Sequence, residues 1–374
     1  MVWMLTGGVL TLFYTILLLY FRRKWDRLKK DEVPAGFSPK IRFSVIVPAR
    51  NEEQNVASCL QSIKSNDYPA SLYEIMVVDD FSDDQTPQIV RQEGVRLIQL
   101  KDSVPDKLNS YKKKAIETGI AAAAGSYIVT TDADSTVSPQ WLRTLAWIIE
   151  TKAALFIAAP VRMKFQKGFF QRFQVLDFLS LQAVTAAAAS SNTMSLCNGA
   201  NLCYSKKTFQ EVGGFEGIDK LASGDDLLLM HKVSVSFPGR LHYCLSESAI
   251  AETLPEPTVR AFLQQRIRWA SKALVYQDLR IVGVLSLVYL INLFLLLLTL
   301  GALIDKQLWS FFFLFLGMKT FFELVFLFPA AKFFDQKKQL YIFPLLQPFH
   351  IFYTVVAGLL GRRVRYEWKG RRVR

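Results

Sequence analysis

The chain predicts an α/β fold: a largely parallel sheet covered on both faces, carried between N- and C-terminal transmembrane helices. Short Val- and Ile-rich runs alternate with helical stretches between residues 42 and 150. Continuous apolar runs of that kind belong to strands buried on both faces, the habit of parallel sheets. Four much longer apolar segments lie outside this region, one at the N-terminus and three near the C-terminus. Residues 40–278 contain none, which is the texture of a folded domain held by membrane anchors.

Residues 1–21 are almost free of charge, and "RRKWDRLKK" follows at once. A signal peptide has the opposite order, positive residues first, with a small-residue cleavage site after the apolar run. Residues 1–21 are therefore expected to be a retained membrane helix with its basic end in the cytoplasm, leading into a basic linker over 22–41. The domain of residues 42–278 opens with the strand-like runs "RFSVIVPAR" (42–50), "YEIMVVDD" (73–80), "VRLIQL" (95–100) and "SYIVTTDAD" (126–134). The stretches 51–65, 85–94, 112–125 and 138–150 read as helices between and after them. Apolar segments near 281–304, 308–330 and 340–360 fill a membrane region of 279–361, and a basic tail spans 362–374. Each segment approaches the ~20 residues that a span needs.

With the domain in the cytoplasm and all three C-terminal segments crossing, the seven Arg and Lys of the tail would land outside. That breaks the positive-inside rule. The segment 340–360, interrupted by Pro344, Pro348 and His350, is expected to be the one that re-enters or lies in the interface. Much of the net charge of +13 sits in Arg22–Lys30 and in the tail, beside membrane edges. Basic residues there set orientation and touch anionic lipid, so nucleic acid is not an expected partner. Cys59, Cys197, Cys203 and Cys244 show neither CxxC nor zinc spacing and read as reduced thiols. His231, His242 and His350 stand apart and read as packing residues.

Ligands of a parallel sheet bind at the C-terminal ends of its strands, and acids collect there. Asp79 and Asp80 close the second run, and Asp132 and Asp134, in "TTDADSTVSPQW", close the fourth. A carboxylate taken out of water needs a cationic partner. The chain has neither GxGxxG nor GxxxxGK[ST], which removes a dinucleotide fingerprint and a P-loop as ways of holding phosphate. A divalent ion between a DxD pair and a diphosphate is another way, since Mg2+ and Mn2+ favour carboxylate and phosphate oxygens. Taken alone, each pair has a plainer reading: Asp132 and Asp134 as turn and cap residues, Asp225 and Asp226 as N-terminal helix acids.

Five segments in order, "SVIVPARNEE", "VVDDFSDDQT", "DAD", "GDD" (224–226) and "QRIRW" (265–269), resemble the family 2 glycosyltransferases of the GT-A fold over about residues 42–270. "QRIRW" fits the QxxRW signature of membrane-bound members. "WKGRR", after the last apolar segment, is similar to the tail of the ceramide, hopanoid and carotenoid glycosyltransferases. The resemblance implies a Rossmann-like nucleotide-diphospho-sugar transferase domain in which Pro48, Glu52, Asp79 and Asp80 line the nucleotide pocket. Lys112, opening "KKKAIETG", matches the "GK" lysine near the donor, although Tyr111 replaces the glycine and Lys113 is an alternative. Asp134 is implied as the main ligand of Mg2+ or Mn2+, with Asp132 on the ribose or on metal-bound water. Asp226 matches the general base, with Asp225 beside it where Glu is commoner. Gln265, Arg268 and Trp269 are implied at the diphosphate and acceptor, and Gly199 and Asn201 near the donor sugar.

The implied activity is inverting transfer of a sugar from a nucleotide-sugar donor, taken as a UDP-sugar, to a membrane lipid or lipid-linked acceptor. One base and no protein nucleophile is the pattern of inversion. The implied place is the cytoplasmic face of a bacterial inner membrane. A processive polysaccharide synthase shares QxxRW, but four membrane segments are few to enclose a channel. A silent sugar-nucleotide-binding scaffold is opposed by the intact acids. The stretch 165–184, "FQKGFFQRFQVLDFLSLQAV", reads either as core helix or as an interfacial helix that guides a lipid.

Overall fold

The computed structural model describes residues 1–102, 110–189, 196–218, 224–271, 278–361, 366–368 and 371–373. The chain forms two compact units. Residues 29–164, 195–254 and 367–374 build a unit around a sheet, and residues 1–28, 165–194 and 255–366 build a helical one.

The strands of the sheet unit are β1 (Phe43–Ala49), β2 (Tyr73–Asp79), β3 (Arg96–Gln99), β4 (Tyr127–Thr130), β5 (Thr136–Val137), β6 (Phe156–Ala158), β7 (Val161–Met163), β8 (Leu202–Ser205), β9 (Leu241–Tyr243) and β10 (Ala251–Thr253). Seven form one sheet in the order β3-β2-β1-β4-β8-β6-β9, and β5, β10 and β7 form a small second one. β1 runs parallel to β2 and β4, and β2 to β3, as the Val and Ile runs predict. β8 runs antiparallel to both of its neighbours, so the sheet is mixed. β4 stops at Thr130, short of the expected 134, and the "DAD" acids stand in the turn that follows.

Helices cover both faces of β1. Val45 and Val47 belong to a core with Leu60, Trp141, Leu145 and Ile148. Ile46 faces the other way, against the helix Tyr111–Ala122. That helix approaches so closely at Gly119 that a Cβ there would stand 2.7 Å from Ile46 Cγ2. Each such aliphatic side chain contributes about 1.5–3 kcal/mol by leaving water. The strand order reverses direction between β1 and β4, which opens a crevice at their C-terminal ends.

Asp31, in the stretch read as a linker, is buried. Its carboxylate accepts from Lys152 Nζ, accepts the Leu245 N–H at 3.0 Å and lies 3.0 Å from His242 Nε2. His242 is therefore part of a charged cluster, not an isolated packing residue. Burial pushes the Asp31 carboxyl up, but the contacts with His242, Lys152 and the Leu245 N–H overrule it and hold the group below its ordinary 3.8.

Among the described residues of the helical unit, four stretches are long and apolar enough to cross a membrane: Val2–Asp26, Leu279–Ala302, Leu308–Phe333 and Lys337–Leu360. Val2–Asp26 lies parallel to Leu308–Phe333. Gly7 meets the Phe315 ring, where a Cβ would come within 2.3 Å. Further along, Phe21 packs on Phe326 at 6.1 Å and Trp25 on Phe333 at 6.2 Å between ring centroids. Pro329 has no N–H for the carbonyl four residues earlier. Arg22 Nη1 donates to that carbonyl, Val325 O, at 2.7 Å.

A buried polar quartet ties three of these helical stretches together. Glu323 Oε1 accepts from Tyr14 OH at 2.6 Å and pairs with Lys319 Nζ at 2.8 Å. Gln347 accepts from Lys319 Nζ at 2.7 Å and donates to Glu323 Oε2 at 2.6 Å. Charges in apolar surroundings are held in such partnerships. Pro344 and Pro348 do not interrupt the last segment as expected. Phe343–Leu360 is one helix in which Pro344 occupies the first turn, where its missing N–H has no intrahelical partner to lose. Helices Phe169–Ala189 and Val259–Ser271 also pack within this unit. Of the basic tail, Tyr366–Trp368 and Arg371–Val373 are paired short strands, and the remainder lies outside the described residues.

The Asp31 cluster sets an acid limit on stability. A carboxyl held below its unfolded value contributes in full above that value and loses its contribution as pH falls through the lowered one. Asp31→Asn should destabilise the protein by about 1–2 kcal/mol at neutral pH, the low end of the range because Lys152 and His242 are partly screened by water. The gap to wild type should close below pH 3.8. Chemical unfolding followed from pH 7 to pH 3 measures both.

Candidate active site

The loops that follow β1 and β2 are laced to one another. Asp80 N donates to Ala49 O at 2.8 Å. Arg50 Nη1 donates to Asp80 O at 2.8 Å and to Phe81 O at 2.5 Å. Asn51 N donates to Ser82 Oγ at 3.0 Å, and Asn51 Oδ1 accepts from Asp83 N at 2.9 Å. Glu52 N donates to Thr86 Oγ1 at 2.8 Å. Asn51 and Phe81 hold φ of 49° and 52°, a backbone region that non-glycine residues enter only when their surroundings impose it. Neither Arg50 nor Asp83 was a predicted site residue. Their signal was in the sequence, a basic residue closing one strand and an acid-rich loop closing its parallel neighbour.

Asp79 and Asp80 are both buried at this edge. Asp79 Oδ2 accepts from Ser82 N at 3.3 Å, while Asp79 Oδ1 meets no hydrogen-bond donor among the described residues. Pro48 pairs with Val78 across the β1–β2 register and is partly exposed, and Glu52 is buried with Asn55 Nδ2 2.9 Å from its Oε2.

A second cluster gathers at the end of β4. Lys112, at the start of the helix Tyr111–Ala122, donates to Asp132 Oδ1 at 2.6 Å, and its Nζ lies 3.9 Å from Asp225 Oδ2. Asp226 Oδ2 accepts from Gly199 N at 3.1 Å, and its Oδ1 accepts from Leu227 N at 2.8 Å. A Cβ on Gly199 would sit 3.3 Å from Lys112 Nζ and 3.6 Å from Asp225 Oδ2. The missing side chain thus lets the backbone lie against the lysine and both acids. Asp225 and Asp226 open the helix Asp225–Ser236, where N-terminal N–H groups favour negative charge. Gly224, with φ of 85°, turns the chain into that helix.

Burial alone would push the Lys112 ammonium down. Asp132, then Asp225 and Asp226, outweigh it and hold the group above its ordinary 10.5. Asp134 follows two residues after Asp132 and is partly exposed, with Ser135 Oγ 3.2 Å from its Oδ1. Cys59 lies beneath these acids, its Sγ 3.6 Å from Asp132 O. Burial, then Asp134, Asp132 and Glu52, push its thiol up. Among the described residues no group of three or more His, Cys, Asp or Glu is placed to hold a metal. Asp132 and Asp134 form a two-carboxylate set, which fits the way Mg2+ is held by one or two carboxylates, with phosphate and water as the remaining ligands.

Residues 44–213 match the model of Glycosyl transferase family 2. That match takes in "SVIVPARNEE", "VVDDFSDDQT" and "DAD" and ends before "GDD" and "QRIRW". It is 28% identical over 185 residues to the glycosyltransferase AglE of Haloferax volcanii, covering 49% of this chain and 58% of that protein. It is 24% identical over 183 residues to the 4,4'-diaponeurosporenoate glycosyltransferase of Staphylococcus aureus, covering 48% of each. The chain thus spans about half the length of these relatives. The fold is that of the mannosyltransferase PcManGT from Pyrobaculum calidifontis, solved with GDP-Man and Mn2+. The TM-score is 0.54 at 17% identity, over 96% of this chain and 99% of that one.

Of the two candidate lysines, Lys112 engages Asp132 and Asp225, whereas Lys113 is buried and donates to Ile218 O at 2.6 Å. Asn201, expected near the donor sugar, is fully buried. Its Oδ1 accepts from Trp141 Nε1 at 2.9 Å, and its Nδ2 donates to Pro160 O and Ala249 O, both at 2.8 Å. These bonds correct its role to a tie inside the core. Gln265, Arg268 and Trp269 lie on Val259–Ser271 in the helical unit. There Gln265 Nε2 donates to Glu256 Oε1 at 2.6 Å.

A raised lysine value contributes stability in full below the unfolded 10.5 and loses it as pH rises toward the folded value. Lys112→Met, which leaves Asp132 and Asp225 facing each other without a cation, should lower stability by about 2–3 kcal/mol at neutral pH. The difference from wild type should hold from pH 7 to about pH 10 and shrink above it. Paired unfolding curves across that range check both points.

Proposed function

We propose that this chain is a membrane-anchored, inverting glycosyltransferase that moves a sugar from a nucleoside diphosphate donor, a UDP-sugar, to a lipid or lipid-linked acceptor. The observation that carries the reading is the meeting of "DAD" and "GDD" at one ammonium, with Lys112 on Asp132 at 2.6 Å and 3.9 Å from Asp225. Relatives named as glycosyltransferases and a structural neighbour solved with a nucleotide-sugar support it. The relative named for 4,4'-diaponeurosporenoate and the four long apolar helices support a lipid acceptor and a membrane setting. In this reading residues 42–278 form the transferase domain on the cytoplasmic face, anchored by the helix at the N-terminus and by the apolar region 279–361.

Pro48, Glu52, Asp79 and Asp80 hold the nucleoside, with Asp79 Oδ1 waiting for a ribose hydroxyl or a base N–H. Asp132 and Asp134 would bind Mg2+ or Mn2+, which neutralises the charge gathering on the departing diphosphate. Lys112 holds the Asp132 carboxylate in place. Arg268 bridges diphosphate oxygens, Gln265 accompanies it, and Trp269 gives an apolar face to a sugar ring. Asp226 accepts the proton of the acceptor hydroxyl as that oxygen bonds to the anomeric carbon. The bond from that carbon to the diphosphate oxygen breaks, and its electron pair leaves with the nucleoside diphosphate. Attack on the face opposite the leaving group inverts the centre. Asp226 suits the role better than Asp225 because it is the more exposed of the two, and the N–H groups of Gly199 and Leu227 fix its orientation.

Membranes containing the protein, incubated with radiolabelled UDP- and GDP-sugars and Mn2+ or Mg2+, should place label in the organic phase, and chelator should abolish it. Asp226→Asn should lower kcat by about 10^2–10^4 with donor affinity little changed. Unimpaired turnover in that variant would remove the assigned base. Asp134→Ala should lose metal-dependent donor binding, and full activity in chelator would refute the metal. Label confined to a large polymer would point to a polysaccharide synthase.

A further inference from the structure

Arg266, a position of "QRIRW" to which the motif assigns no role, is the side chain around which that motif is arranged. It is 4% exposed. Its Nε and Nη2 donate to Asp177 Oδ2 at 2.8 and 2.5 Å, and its Nη1 donates to Gln265 Oε1. The guanidinium lies between two rings of its own helix, 4.4 Å from the Phe262 centroid and 4.2 Å from that of Trp269. Residues 262, 266 and 269 recur at the spacing of one helix face, so one cation grips both Gln265 and Trp269.

Arg266 is anchored from outside its helix. Asp177, on Phe169–Ala189, is buried, and its second oxygen accepts from Tyr353 OH, on Phe343–Leu360. One turn before Asp177, Gln174 bonds the backbone of Glu256 in both directions, Nε2 to Glu256 O at 3.0 Å and Glu256 N to Oε1 at 2.8 Å. The Glu256 side chain in turn receives Gln265 Nε2 at 2.6 Å. Phe173 packs on Phe262 at 5.5 Å. Helix Phe169–Ala189 therefore holds the motif helix twice, through the backbone of Glu256 just before it and through charge at Arg266.

Stability does not require an ion pair at this place. A buried pair gains little over well-packed apolar residues, because removing two charges from water offsets most of their attraction. What two N–H groups converging on one carboxylate oxygen supply is direction. We propose that Asp177, held by Tyr353, is a positioning residue that acts through Arg266 to set Gln265, Arg268 and Trp269 for the donor. The stretch 165–184 thereby gains a role in the reaction that lipid guidance does not describe. The proposal rests on the reading that Arg268 binds the donor diphosphate.

The test uses full-length protein in detergent with Mn2+ and compares affinities for UDP and UMP, and for GDP and GMP, by calorimetry. Arg268→Ala should weaken the diphosphate and spare the monophosphate; if it weakens neither, the diphosphate reading of the motif falls. Asp177→Asn should weaken the diphosphate by about tenfold, the scale on which removing a supporting group loosens a binding set. Tyr353→Phe should weaken it severalfold and, lacking only one hydroxyl, carries the test if Asp177→Asn does not fold. In both variants monophosphate affinity should stay within about twofold of wild type. If Arg268→Ala has its effect while Asp177→Asn and Tyr353→Phe leave diphosphate affinity unchanged, or weaken both nucleotides alike, the positioning role is overturned and the reading of Arg268 stands.

Discussion

Carboxylates crowd the C-terminal ends of β2 and β4 and the start of the helix Asp225–Ser236, and the Lys112 ammonium is what allows three of them to stand together. Its position follows from backbone packing. The helix that bears it is pressed onto β1 at Gly119, where a Cβ would meet Ile46 at 2.7 Å, and the chain passes the lysine at Gly199, where a Cβ would stand 3.3 Å from Nζ. The first approach needs glycine, and the second brings the Gly199 backbone beside the lysine and the acids.

The edge of the crevice formed by the loops after β1 and β2 is governed differently. There the chain holds itself by hydrogen bonds between two loops, with Arg50 donating to successive carbonyls and side-chain oxygens of each loop accepting backbone N–H groups of the other. Two residues kept at positive φ show that the shape is imposed by this lacing and not by local preference. An edge laced in that way holds Asp79 and Asp80 in place through the chain's own bonds.

Much of this was legible before any coordinates. The Val and Ile runs located β1, β2, β3 and β4 because a strand buried on both faces leaves no alternation to misread. Spacing and resemblance brought the acids and Lys112 to one site, although only the fold separates Lys112 from Lys113, which differ by about 100° around one helix turn. The reversal of β8 was hidden, since "LCYS" is too short to show direction. Asn201 misled because an amide in a Gly-rich stretch looks like a loop residue, whereas it satisfies two carbonyls and an indole inside the core. Pro344 and Pro348 misled in the opposite sense, since one stands in a first turn and the other is tolerated within the helix. Arg266 drew less attention than Arg268 because its partner Asp177 is 89 residues away.

The quartet around Glu323 has a consequence in time. Tyr14 and Glu323 are separated by 309 positions. At a synthesis rate of about 5–20 residues per second, the first helix waits for roughly 15–60 s before the ribosome delivers the residue that its phenol bonds. Arg22 likewise waits for the carbonyl that Pro329 leaves open. During that interval residues 29–164 and 195–254 of the sheet unit emerge and can fold, while the Tyr14 phenol still lacks its Glu323 partner. The polar ties of the helical unit are therefore made late, between residues far apart along the chain.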